Sequence, residues 1–228
     1  MGNFYFLVGF LVIFFASGCA STTSFDKAQK IASQNLPYPQ FTAFKNLRNF
    51  PGDVICGEFE SPDKSFRYVT SWRPFIVVKG KMGPSNTPEA IGIYCSESPA
   101  LSLYESLGID LRNAKAQSIT KIQSDMATLL SVIYEYERIN DRLPPQSAGL
   151  KSLITDRTVS GLLDAIPKDP WGNPYNYTSV QWGGSKSSSF KLWTYGKDNK
   201  QGGTGDNADI SYGHLPYILH VSSLLQED

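Results

Sequence analysis

Between positions 119 and 136 the residues Ile119, Ile122, Met126, Leu129, Ile133 and Tyr136 recur at alternating steps of three and four. That is the stripe of a single long amphipathic helix. Leu130 and Tyr134 widen the stripe, while Lys121, Gln123, Asp125 and Glu137 supply a polar face. A helix from about Asn113 to Ile139 with such a stripe needs a layer to lie on, and the chain that follows supplies one. Pro144-Pro145 ends the helix, and Ala148 to Ile154 reads as a second, short one. Tyr175 and Tyr177 then alternate into a strand, and the chain returns through Phe190, Leu192 and Thr194 after a loop over Gly183 to Ser189. The expectation is α+β: a long helix packed on a small antiparallel sheet, with the stripe as core.

Upstream, Asp26 to Leu36 reads as a short helix with Ser24 as its cap and Pro37 as its stop. Asp53 to Glu60, Ser65 to Ser71, Pro74 to Lys79 and Ile91 to Ser96 read as short strands, rich in Val, Ile, Phe and Tyr and separated by Pro, Gly and Asn. These define a small α+β module over about 25–105. Its phrase VICGEFESPDKSFRYVTSWRPFIVV resembles a small domain of bacterial lipoproteins with a Cys-Gly-Glu strand and a later Arg-Pro-Phe strand, a resemblance that implies no activity. Glu58 and Arg73 are its candidate charged residues, and a surface ion pair or solvated strand faces account for them.

The amino terminus carries a second constraint. Phe4 to Phe15 is an unbroken apolar run too short to span a bilayer comfortably, followed at once by Ala16-Ser17-Gly18-Cys19. This is a signal-peptide layout, and the small trio before a cysteine resembles the lipobox of bacterial lipoproteins. The resemblance implies cleavage of residues 1–18, lipidation of Cys19, a polar linker over 19–24 and a membrane-anchored, periplasm-facing protein of the cell envelope. Ala20 in place of an aspartate favours the outer membrane over the inner. The alternative is an export signal cleaved elsewhere or retained. Export puts the remaining cysteines, Cys56 and Cys95, in an oxidising compartment where pairing is the default, the alternative being two separate buried thiols.

With 228 residues and no net charge, the chain has no electrostatic footprint for a polyanion, and it carries no nucleic-acid-binding motif. Enzymatic chemistry is also poorly provided for. The two histidines, His214 and His220, lie in the tail, and no G-x-S-x-G, H-E-x-x-H or P-loop pattern accompanies them. The chain reads as a non-catalytic protein.

The remaining dense feature is GKDNKQGGTGDNADI, Gly196 to Ile210, which sets acidic and amide side chains in a glycine-rich loop directly after an aromatic strand. Hard cations such as Ca²⁺ take six to eight oxygen ligands, and such a loop can offer them, though from composition alone a solvated turn is the favoured reading. An EF-hand is excluded by spacing. Counted from Asp198, the third and fifth positions are Lys200 and Gly202, which offer no side-chain oxygen.

Taken in order, INDRLPPQSAGLKSL after the long helix, then PKDPWGNPYNY, then LWTYGKDNKQGGTGDNADI resemble the periplasmic domain of the major pseudopilin, protein G, of type II secretion systems. The resemblance covers 113–212 and leaves 213–228 as a carboxy-terminal extension that docks as a helix or strand. It implies a long helix over a small antiparallel sheet and one structural Ca²⁺. Asp198 matches the first acidic ligand, Asp209 the last, and Asp206 and Asn207 the pair between, with carbonyls near Tyr195 and Lys200 completing the shell. The resemblance stops short of the pseudopilin amino terminus, with its basic leader, prepilin-peptidase site and glutamate five residues into an apolar helix. It therefore implies a calcium-stabilised envelope lipoprotein working in or beside a type II secretion or related pilus-like system. The alternative is a calcium-stabilised envelope binding lipoprotein without a role in secretion.

Overall fold

A computed structural model describes residues 23–67, 71–112, 116–159, 161–181 and 188–226. The apolar run, the lipobox-like tetrad and Cys19 lie outside the described residues. Helix α1 (Ser24–Ser33) is capped by Thr23, not by Ser24. The Asp26 amide donates to Thr23 Oγ1 at 3.2 Å, and the Thr23 amide donates to Asp26 Oδ2 at 2.9 Å. Two otherwise orphaned donors are satisfied by this reciprocal cap.

Strands β1 (Ala43–Phe50), β2 (Val54–Glu60), β3 (Arg73–Val78) and β4 (Lys81–Met82) form an antiparallel sheet in sequence order. Alternation along β2 and β3 feeds both faces. Ile55, Phe59, Phe75 and Val77 pack against Ala28 and Ala32 of α1. Val54, Cys56 and Ile76 face the other way, onto Ala90 and Tyr94 of α2 (Pro88–Tyr94). Cys56 is bonded to Cys95, the residue that ends α2, so the disulfide staples β2, a central strand of the sheet, to the helix covering it.

Among the described residues two of the expected strands do not form. Ile91 to Ser96 belongs to α2 and the residue that caps it, because Thr87 Oγ1 accepts from the Ala90 amide at 3.1 Å and Pro88 occupies the first turn. Ala90, Ile93 and Tyr94 then fall on one buried helical face. In the expected strand over Ser65 to Ser71, residues 65–67 form a tight turn on Asp63, whose Oδ1 accepts from the Ser65 and Arg67 amides, and 68–70 lie outside the described residues. Strand β1 was not foreseen. Its register slips between Lys45 and Arg48 at Asn46, a residue of positive φ, which erases the alternation that would have revealed it. Glu58 lies 3.6 Å from Lys45 Nζ and accepts from Asn46 Nδ2, and the Arg73 guanidinium sits 4.5 Å over the Phe59 ring. Both charges are spent on local strand contacts.

After α3 (Pro99–Leu107), the stripe helix is α4 (Ala116–Asn140). Among the described residues no helix is long and apolar enough to cross a membrane. A short helix, α5 (Ser152–Thr155), precedes a three-stranded antiparallel sheet of β5 (Asn176–Gln181), β6 (Ser188–Thr194) and β7 (Ile210–Ser211). Ile119, Ile122, Met126, Leu129, Ile133 and Tyr136 of α4 are all buried in one cluster with Tyr175, Leu192 and Ile210 of the sheet region. The Tyr175 hydroxyl donates to Asp125 Oδ2 at 2.8 Å, and Lys121 pairs with the same oxygen at 2.7 Å. Burial and that carboxylate push the Tyr175 hydroxyl pKa far up, so it stays a donor.

The carboxy-terminal segment folds as helix α6 (Leu215–Leu224) and returns to the amino-terminal half. The His220 ring stacks on Tyr94 at 4.3 Å, and the Tyr94 hydroxyl donates to the Pro216 carbonyl at 3.0 Å. Burial beside Tyr217 pushes the Tyr94 pKa up to about 12. Ile218 and Val221 join Ile93, Leu103 and Ile109 in the α4 cluster, so one apolar core runs through both halves of the chain.

Candidate metal centre

The glycine-rich loop is fixed at its entrance before it turns. Asp169, in the turn ahead of β5, is 2% exposed. Its Oδ1 accepts from the amides of Trp171 at 3.0 Å and Asn173 at 2.8 Å, and its Oδ2 accepts from Thr194 Oγ1 at 2.6 Å. Thr194 Oγ1 in turn accepts from the Gly196 amide, and Asn173 Nδ2 donates to the Gly196 carbonyl at 2.9 Å. The DPWGN turn is thus a clamp on the first residue of the loop. Asp169, Asn173 and Thr194 were not singled out from sequence as site residues. The signal available was the Pro-Gly punctuation of that turn, which marks a bend but not what the bend holds.

Within the loop, close backbone packing explains the glycines. Gly196 has φ +69°, and a Cβ there would lie 2.7 Å from the Asp206 carbonyl oxygen. At Gly203, φ +98°, a Cβ would lie 2.5 Å from the Asn207 carbonyl oxygen. The Lys197 amide donates to the Asp206 carbonyl at 2.8 Å, and the Gly205 amide donates to the Gly108 carbonyl at 2.9 Å just beyond α3. The loop is laced to itself and to the preceding helix.

The expected ligands occupy different settings. Asp198 is exposed, with Oδ1 accepting from the Lys200 amide at 3.2 Å. Asp206 and Asn207 lie in a 3-10 turn over Gly205–Asn207, both half-buried. Asp209 Oδ2 accepts from the Gly202 amide at 3.0 Å, whereas its Oδ1 is buried without any hydrogen-bond partner. Tyr195 leads into the first turn, its ring edge-on to Trp193, and Lys200 closes it. Among the described residues no three His, Cys, Asp or Glu side chains converge on one point. A cation here would start from the Asp209 oxygen, with amide and main-chain oxygens around it, and would have to draw the Asp198 and Asp206 carboxylates in.

That donor set fits a hard cation on one observation. A buried carboxylate oxygen without a donor costs about 1–3 kcal/mol or more, and a bound cation removes the cost. Nearby, His214 Nδ1 accepts from the Ser211 amide at 3.3 Å. Burial lowers the His214 pKa, with the neighbouring Asp209 pulling the other way.

Residues 110–213 match the family model of type II secretion system protein G. The type II secretion system core protein G of Vibrio cholerae serotype O1 is 32% identical over 108 residues, covering 44% of this chain and 71% of the relative. That of Pseudomonas aeruginosa is 32% identical over 101 residues, covering 40% and 68%. The crystal structure of the major pseudopilin of enterohaemorrhagic Escherichia coli is 26% identical, covering 42% of this chain and 86% of that one, with a TM-score of 0.32. The superposition is too loose to carry an argument; the sequence matches bear the assignment. Through residues 110–213 this chain belongs to the protein G family of the type II secretion system.

Proposed function

We propose that this chain is a non-catalytic cell-envelope lipoprotein, anchored through Cys19, whose protein G domain works within or beside a type II secretion or related pilus-like machine. The family match at 110–213 carries the reading. Relatives named as core proteins of that system share more than two thirds of their length with this chain. The lipid anchor rests on the Ala-Ser-Gly-Cys sequence after the apolar run and would face the protein to the periplasm, with Ala20 in place of an aspartate favouring the outer membrane slightly over the inner. Ca²⁺ in the loop would be held by Asp209 and Asp198, with Asp206, Asn207 and the carbonyls of Tyr195 and Lys200. It would supply positive charge to a buried carboxylate and hold the loop's shape without taking part in a reaction.

Mild crosslinking followed by affinity purification of the tagged full chain tests the secretion role. Recovery of secretion or pilus-like subunits is expected. Their absence leaves the alternative, a calcium-stabilised binding lipoprotein outside the machine. Incorporation of a labelled fatty acid, lost in Cys19→Ser, tests the anchor separately.

A further inference from the structure

Among the described residues, one face of the three-stranded sheet is fully buried and the other only partly covered. Leu192, Thr194 and Ile210 turn into the core, each no more than 2% exposed. Alternation along the strands therefore sets Lys191, Trp193 and Ser211 on the opposite face, and carries Tyr195 and Asp209 onto it just past the strand ends. The Trp193 and Tyr195 rings meet there, their centroids 5.8 Å apart and their planes at 75°. Both are half-buried, yet neither belongs to any of the three apolar clusters that make up the core. They line a cleft of about 650 Å³, with Thr178, Gln201 and His214 around them. Among the described residues no hydrogen bond or ion pair engages the side chains of Lys191, Trp193, Tyr195 or Gln201.

Two aromatic rings held out of the core, beside unspent donors and acceptors, define the chemistry of a complementary ligand. A purely apolar ligand would bury those polar groups without partners, at a cost. Lys191 is the only ammonium in the lining, too little positive charge to define an anion site. A sugar ring satisfies both features: its C–H face lies flat on an aromatic ring, and its rim of hydroxyls exchanges hydrogen bonds with amides and hydroxyls around it. The cleft's volume lies within the roughly 300–1,000 Å³ usual for small-molecule sites. We propose that this cleft binds a neutral oligosaccharide, with one ring stacked on Trp193 and its hydroxyls met by Tyr195, Gln201 and Thr178. The site stands apart from the secretion reading and does not depend on the anchor.

Isothermal titration of the full chain with chitotriose, maltotriose and cellotriose, at fixed Ca²⁺, tests the proposal. Saturable binding of at least one of these sugars is expected. Trp193→Ala should weaken it roughly tenfold or more at an unchanged melting temperature. Tyr195→Phe keeps the ring, loses the hydroxyl and should weaken binding less. If Trp193→Ala fails to fold, Trp193→Leu keeps apolar bulk without the flat ring and should show the same loss. The absence of saturable binding to all three sugars, or binding unchanged without the Trp193 ring, overturns the proposal. So does a photo-crosslinker at position 191 that captures a protein subunit in the cell, which would make the face a protein interface.

Discussion

Asp169 Oδ2 accepts a hydrogen bond from Thr194 Oγ1 at 2.6 Å, and through it the turn before β5 holds the strand end from which the acidic loop departs. Both residues are almost fully buried. Asp169→Ala should therefore destabilise the protein by about 2–4 kcal/mol, since it orphans the Trp171 and Asn173 amides along with the Thr194 hydroxyl. Thr194→Val keeps the shape but strands the carboxylate, at about 1–3 kcal/mol. Urea unfolding measures both. A loss below about half a kcal/mol for Asp169→Ala would contradict the clamp.

Calcium should raise the melting temperature, because a ligand bound by the native state alone stabilises by mass action, about 2.7 kcal/mol at a hundredfold excess over Kd. Asp209→Asn should abolish most of the rise, since it alters the one buried carboxylate oxygen that lacks a partner among the described residues. Superimposable melting curves in chelator and in excess Ca²⁺ would end the claim.

Acidification should weaken the fold through its histidines. His220 is 7% exposed, its Nε2 has no partner, and burial lowers its pKa from 6.5, with Lys79 adding to the shift. The His214 pKa is lowered as well. Between the depressed folded values and about 6.5 the unfolded chain binds the extra protons, so stability rises with pH across that window. Urea midpoints should be level above pH about 7 and fall as pH drops below about 6.5. His220→Gln should flatten that slope. A midpoint that climbs on mild acidification would count against the account.

Reducing the Cys56–Cys95 bond, or replacing both cysteines with serine, should cost roughly 3–4 kcal/mol for its 39-residue separation on the chain-entropy model. Calorimetry with and without reductant reads the difference. Unchanged melting in both states would show that the staple adds nothing.

The long helix was legible because six apolar residues at helical spacing leave one solution; it was expected over Asn113 to Ile139 and runs Ala116–Asn140. The hairpin after it was legible for the same kind of reason, period two in place of 3.6. Ile91 to Ser96 misled because a short Ile- and Tyr-rich run suits either state, and the deciding cap, Thr87, lies outside the run itself. β1 was hidden by its bulge. The acidic loop announced itself by composition, but its clamp did not. Asp169 and Thr194 are 25 residues apart, and a side-chain bond across that distance leaves no periodic trace in sequence.

Helix α6 is the last described element, yet it stacks on Tyr94 and packs with Ile93 and Leu103. The family match ends at residue 213, two residues before this helix begins. A boundary drawn from the family alone would cut away the cover of the preceding half. For a chain that leaves the ribosome amino terminus first, the same contact sets an order of events: the early segments emerge with an apolar flank bare, and it stays bare until α6 arrives.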